Sequence, residues 1–69
     1  MKARVNSDFG SILNMRSNSD VKSEIIDRIE VGEYVEVQRR NKEWSVIKHN
    51  GKSGYLMNQF LVFGEKDGR

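Results

Sequence analysis

Trp44-Ser45-Val46-Ile47-Lys48-His49, Asn50-Gly51 and Lys52-Ser53-Gly54-Tyr55-Leu56 follow one another without a break. Aromatic and β-branched residues recur on both sides of the Asn-Gly pair, and such a pair between two β-rich runs marks a tight hairpin. Both central positions of a type I′ turn need positive φ, which glycine adopts freely and asparagine tolerates. The stretch therefore predicts two antiparallel strands joined at Asn50-Gly51.

Working outward, Glu33 to Arg39 alternates cleanly, with Val35 and Val37 on one face and Tyr34, Glu36 and Gln38 on the other. The polar turn Arg40-Asn41-Lys42-Glu43 links it to Trp44, and Gly32 precedes it where a turn residue is expected. Ala3 to Asn6 and Ile12 to Arg16 read as two shorter strands around a connection holding Asp8 and Gly10. Phe60-Leu61-Val62-Phe63 supplies a closing strand. Between Ser23 and Val31, Ile25, Ile26 and Ile29 fit neither period well. The expectation there is an extended or turn-like arm whose isoleucines are pinned to the core. Five or six short antiparallel strands in so few residues close most economically as a small barrel, since closure removes exposed edges.

The chain has 69 residues, enough for a single domain, read here as residues 1–63 with a polar, flexible tail over 64–69. Without cysteine there are no disulfides or thiolate sites, and one histidine, His49, leaves no metal-ligand spacing. No cofactor motif, nucleophile elbow or triad can be assembled, so neither cofactor, metal nor enzyme activity is expected. Twelve Lys and Arg against ten Asp and Glu give a formal charge of +2, with the signs interspersed. No apolar run reaches the roughly 20 residues that span a bilayer. The basic N-terminus has no apolar stretch behind it and is not a signal peptide. The expected location is cytoplasmic if the chain is complete, and secreted or cell-envelope if it belongs to an exported parent.

The chain resembles the bacterial SH3 domains from about Ala3 to Val62. That family opens with Leu-Asn-Val-Arg-Ser, similar to Leu13-Asn14-Met15-Arg16-Ser17 here, and continues with Val-Ile-Gly-x-Leu-x-x-Gly, similar to Ile25-Ile26-Asp27-Arg28-Ile29-Glu30-Val31-Gly32. Val35 and Val37 match its Val-x-Val strand, and Trp44 to Ile47 its Trp-x-x-Val. Asn50-Gly51-Lys52-Ser53-Gly54-Tyr55-Leu56 matches its Asn-Gly-x-x-Gly-Tyr-Val hairpin, and Phe60-Leu61 its aromatic-Leu ending. Three positions depart. Asn18-Ser19-Asp20 replaces the usual Gly-Pro, Asp27 stands where glycine is common, and Ser45 where a second aromatic is common. The resemblance implies an all-β, SH3-like barrel. It also implies a non-catalytic module that binds peptidoglycan or its peptides, as a monomer within a longer protein. An intracellular protein-peptide interaction domain is the alternative.

Candidate ligand-binding residues are Trp44, Tyr55, Phe60, Tyr34, Arg16 and Met57. Trp44, after a polar turn, sits at the mouth of a barrel, either as a rigid ligand platform or half-buried over the barrel end. Around Tyr55, Met57 and Phe60 the segment is similar to the closing segment of proline-peptide-binding SH3 domains. There Met57 replaces the proline, which argues against polyproline recognition and leaves an apolar groove. Phe60 also reads as core. Tyr34 should lie on the outer face of its strand, as a ligand contact or one half of a cross-strand pair. Arg16 should point outward, toward an acidic ligand group or a loop carbonyl. Phe9 is placed to close a groove facing Trp44 or to cap the core. Arg39, Arg40, Lys42, Lys48 and Lys52 form the densest basic set, but Glu36 and Glu43 interrupt it, so a solvated face is preferred to nucleic-acid binding. His49 reads as a surface strand residue.

Overall fold

A computed structural model describes residues 1–8 and 10–64; Phe9, and the tail from residue 65 onward, lie outside the described residues. Seven strands form one antiparallel sheet. They are β1 (Lys2–Val5), β2 (Ile12–Arg16), β3 (Ile25–Glu30), β4 (Tyr34–Arg40), β5 (Trp44–His49), β6 (Lys52–Met57) and β7 (Leu61–Phe63). A 3-10 turn, Asn58–Phe60, connects β6 to β7. The order across the sheet is β3-β2-β6-β5-β4-β1-β7.

Every strand sends at least one side chain into the same core, which holds Ala3, Val5, Met15, Ile29, Val35, Val37, Ile47, Leu56 and Leu61. A sheet can place all seven strands around one cluster only by curling on itself, so the expected all-β, SH3-like architecture is present. The strand count is one or two higher than expected. The hairpin forms where the Asn-Gly pair requires it, with Asn50 at φ +53° and Gly51 at +75°, and β5 pairs with β6 in register from Trp44↔Met57 to His49↔Lys52.

The segment expected as an extended or turn-like arm is extended, and it forms a paired strand with a bulge. β3 pairs with β2 from Ile12↔Glu30 to Met15↔Asp27, and the register then shifts to Arg16↔Ile25. Ile26 is the extra residue of that bulge. An inserted residue resets the inside-outside alternation, which is why Ile25, Ile26 and Ile29 obey no single period. Ile29 is fully buried and Ile26 packs against the core, while Ile25 is 39% exposed and is not part of the core cluster.

The two ends of the curled sheet are not joined by a full backbone ladder. Gly32 N–H donates to Val5 O and Val5 N–H to Glu33 O, which ties the β3–β4 turn to β1. Beside it lies a seam of side chains. His49 on β5 reaches Asp27 on β3 through Nδ1 (2.8 Å) and Glu33 through Nε2 (3.0 Å). The Asn50 amide also donates to Asp27, at 3.3 Å. Along β3 itself, Arg28 N–H is held by the Asp27 carboxylate and Glu30 N–H by Glu33. His49 was expected on the surface, but only 10% of its side chain is exposed. Two carboxylates distant in sequence fold over it.

Burial disfavours the charged imidazole, yet the hydrogen bonds and negative charges of Glu33 and Asp27 outweigh this and raise the His49 pKa above 6.5. Asp27 and Glu33 are both lowered, chiefly by their hydrogen bonds to His49. The histidine's contribution is full below its unfolded pKa of about 6.5 and is lost as pH rises through the higher folded value. The carboxylates' contribution is full above their unfolded values of about 3.8 to 4.5 and is lost as pH falls through the lowered folded ones. The seam is therefore strongest between roughly pH 4.5 and 6.5. Urea unfolding of the native chain and of His49→Gln should differ most in that window and converge on either side. Parallel curves at all pH values would contradict the charged bridge.

Candidate functional site

β2, the loop 17–24, the start of β5, the end of β6 and the 3-10 turn surround one open groove of about 260 Å³. Its lining combines Ile12, Leu13, Val21, Trp44, Leu56, Met57 and Phe60 with the polar Asn14 and Arg16. Trp44 and Met57 are direct cross-strand partners, so alternation sets both on the outer face at the open end of the β5–β6 hairpin. Phe60 follows within the 3-10 turn, partly buried against the core.

Two further depressions of similar size adjoin the groove. One, of about 230 Å³, is lined by Asn6, Ser7, Asp8, Gln59 and Phe60, and the other, of about 280 Å³, by Lys42, Glu43, Met57, Asn58 and Gln59. Phe60 is thus shared by the groove and the Asp8 cleft, and Met57 by the groove and the Lys42 cleft. The groove is lined mainly by apolar residues, and the two neighbouring depressions add Asp8 on one side and Lys42 and Glu43 on the other.

Four of the six candidate residues, Trp44, Met57, Phe60 and Arg16, meet here. The other two do not line the groove. Tyr55 shares the outer face with Met57 and stands opposite Arg16 in the β2–β6 pairing, just beyond the lining. Tyr34 is exposed on β4, beside Arg4 of β1, well away from it. Arg16 donates from Nη1 to Ser23 O at 3.0 Å, which ties β2 to the loop that carries Val21.

That loop is cross-linked by its own hydrogen bonds. Ser17 N–H donates to Glu24 O, Lys22 N–H to the Asp20 carboxylate, and Ser23 Oγ to Asn18 O. Asn18, Asp20 and Ser23 do here what a Gly-Pro turn does elsewhere. Val21 and Ile12 are both more than half exposed and rim the groove, and neither had been a candidate. A signal for each was present. Ile12 is apolar but out of phase with Leu13 and Met15, and Val21 is an isolated apolar residue in a polar loop.

Ser45 and Asn58 support Trp44 from behind. Ser45 is fully buried, and its hydroxyl donates to Asn58 Oδ1 at 2.6 Å. Asn58 Nδ2 in turn donates to Asn41 O and Lys42 O, and its backbone N–H to Glu43 O. This chain fixes the β4–β5 turn immediately before Trp44. A second aromatic at position 45 has no place in it, because that position faces inward.

The basic set does not gather into one channel. Arg40 lies over the Phe63 ring at 3.9 Å, Lys52 approaches Ile26 O, and Lys48 stands across from Glu36 and Ser53. Among the described residues no group of His, Asp and Glu is placed to hold a metal ion.

The family model of the bacterial SH3 domain matches residues 11–62, well over half of the sequence. The chain belongs to the bacterial SH3 domain family. A search of curated proteins finds no match. As an SH3 domain of this family it is a binding-type module, generally non-catalytic. The matched region contains β2 through most of β7, and therefore the groove apart from its Asp8 flank.

Proposed function

We propose that this SH3 domain targets a parent protein to the bacterial cell wall by holding an extended peptide of peptidoglycan in the groove between Trp44, Met57, Phe60 and Val21. One observation carries the reading. Apolar side chains from five separate segments converge on one groove with only Asn14 and Arg16 as polar lining. Such a groove suits a chain whose backbone is polar and whose side chains are small. Trp44 contributes a large, rigid face with little loss of rotamer freedom. Single modules of this size bind weakly, so attachment to a catalytic domain or to further copies would raise the effective concentration at the wall. On this reading the domain acts in the cell envelope, carried there by its parent.

The test is a chemical-shift titration with purified muropeptides against a random peptide of equal length. Perturbations by muropeptides should concentrate on Ile12, Val21, Trp44, Met57 and Phe60. Equal response to both ligands, or shifts centred on the β3–β5 seam, would refute the assignment.

A further inference from the structure

Arg16 carries a charge that no acid of the described fold answers. It is partly buried, gives Nη1 to Ser23 O at 3.0 Å, and meets no carboxylate among the described residues. Acids on the neighbouring segments are engaged elsewhere. Asp20 accepts from Lys22 N–H, and Asp27 from His49, Asn50 and Arg28 N–H. Glu24, exposed at the end of the loop, forms no ion pair with Arg16. On β3, Arg28 stands across from Asn14 and Glu30 across from Ile12, so that row adds little net charge. Among the described residues that line the groove none is acidic, and Arg16 alone is charged. Asn14, two residues back and therefore on the same strand face, adds an amide that makes no side-chain hydrogen bond among the described residues.

We infer that Arg16 makes the groove selective for peptides that carry a carboxylate among small apolar residues. This rests on the groove being a peptide site, as proposed above, and adds the charge of the ligand and the residue that reads it. A guanidinium partly withdrawn from water loses hydration that hydrogen bonds and an opposite charge restore. The N–H donors that Arg16 does not spend on Ser23 suit the two oxygens of a carboxylate, and a carboxylate set there meets no like charge from the lining. The Asn14 amide is placed to bond the ligand's backbone beside it. In an otherwise apolar groove a few such polar groups fix what is accepted. One cation among apolar side chains suits a single carboxylate and not a row of phosphates. The acid can belong to a side chain or to a chain end, since the same oxygens face the guanidinium in both cases.

The experiment uses two pairs of peptides. In the first, Ala-Leu-Glu-Ala-Ala is compared with Ala-Leu-Gln-Ala-Ala, both blocked at each end. In the second, N-acetylated Ala-Leu-Ala-Ala is compared as free acid and as amide. Dissociation constants are read from chemical shifts at low and at physiological salt. The acid should bind roughly three- to tenfold more tightly than its neutral counterpart in at least one pair, and less so at higher salt; the pair that responds tells a side-chain acid from a chain end. Arg16→Met should bind both members of that pair alike, and Arg16→Lys should keep a reduced preference. An Arg16 that serves only to hold the loop would weaken acid and neutral peptides by the same factor and leave their ratio intact, which would overturn the inference. So would equal affinities within both pairs on the native domain, with shifts still in the groove, a result that leaves the peptide site standing. No groove shifts with any of the four peptides would overturn both.

Discussion

Trp44→Ala should bind purified cell walls or muropeptides at least about 30-fold more weakly than the native domain, while its circular dichroism and unfolding midpoint change little. A rigid aromatic at the centre of a groove is typically worth about 2 kcal/mol or more on truncation, and every 1.4 kcal/mol is tenfold. Fold retention follows from position. Trp44 is only partly buried, faces outward from β5 and does not belong to the core cluster, so its removal opens no interior cavity. Trp44→Phe should recover part of the affinity, since a ring remains. In a wall-sedimentation assay, equal pelleting of the native and Trp44→Ala domains would show that the groove is not where the wall is held.

A different kind of damage is expected from Gly54→Ala, which should lower the unfolding midpoint by roughly 5–25 °C. A Cβ on Gly54 would sit 2.7 Å from Ile26 Cδ1, 2.8 Å from Met15 Cγ and 2.8 Å from the backbone oxygen of Arg16. Ile26 can rotate and Met15 can flex, but the carbonyl is locked in the β2 ladder at the bulge. Overpacking of this kind costs typically about 1–3 kcal/mol, and a domain below about 70–80 residues rarely has more than about 3–5 kcal/mol in its core. Thermal unfolding followed by the amide signal is the measurement. A midpoint within a few degrees of the native value would mean that β2 and β3 move apart freely at the bulge. Gly51→Ala is a useful comparison, because nothing approaches its Cβ position within 4 Å and only its positive φ resists the change.

These two variants also show what the sequence could and could not convey. The hairpin was legible because its determinant is local, two adjacent residues that tolerate positive φ, and β4 because strict alternation of Val35 and Val37 needs no distant partner. β3 was not, because the bulge at Ile26 breaks the period that identifies a strand. The close approach at Gly54 was hidden for the same reason. Both depend on β2 and β3 arriving beside β6.

The groove was half legible. Trp44, Met57, Phe60 and Arg16 sit in segments that resemble the family's, whereas Ile12 and Val21 become rim residues only when the hairpin of β2 and β3 lies over the hairpin of β5 and β6. Tyr55 and Tyr34 are the reverse case. Each is a tyrosine on an outer face, and nothing in the sequence says which part of that outer face adjoins the groove. His49 was misread because its partners are 22 and 16 residues away. Asp27 and Ser45, which look like weaknesses against the family pattern, each have a partner of their own in His49 and Asn58. At those two positions the departing side chain is held by a hydrogen bond within the fold.

The manner in which β3 ends the sheet has one more consequence. An outermost strand ordinarily offers its unused amides as a template on which a stranger's backbone can lie down. Here the Asp27 and Glu33 carboxylates occupy two such amides in succession, and an incoming strand would have to displace anions before gaining a bond. The molecule thus guards itself against runaway polymerisation with the same acids that clasp its histidine, and acidification strong enough to neutralise them would disarm that guard.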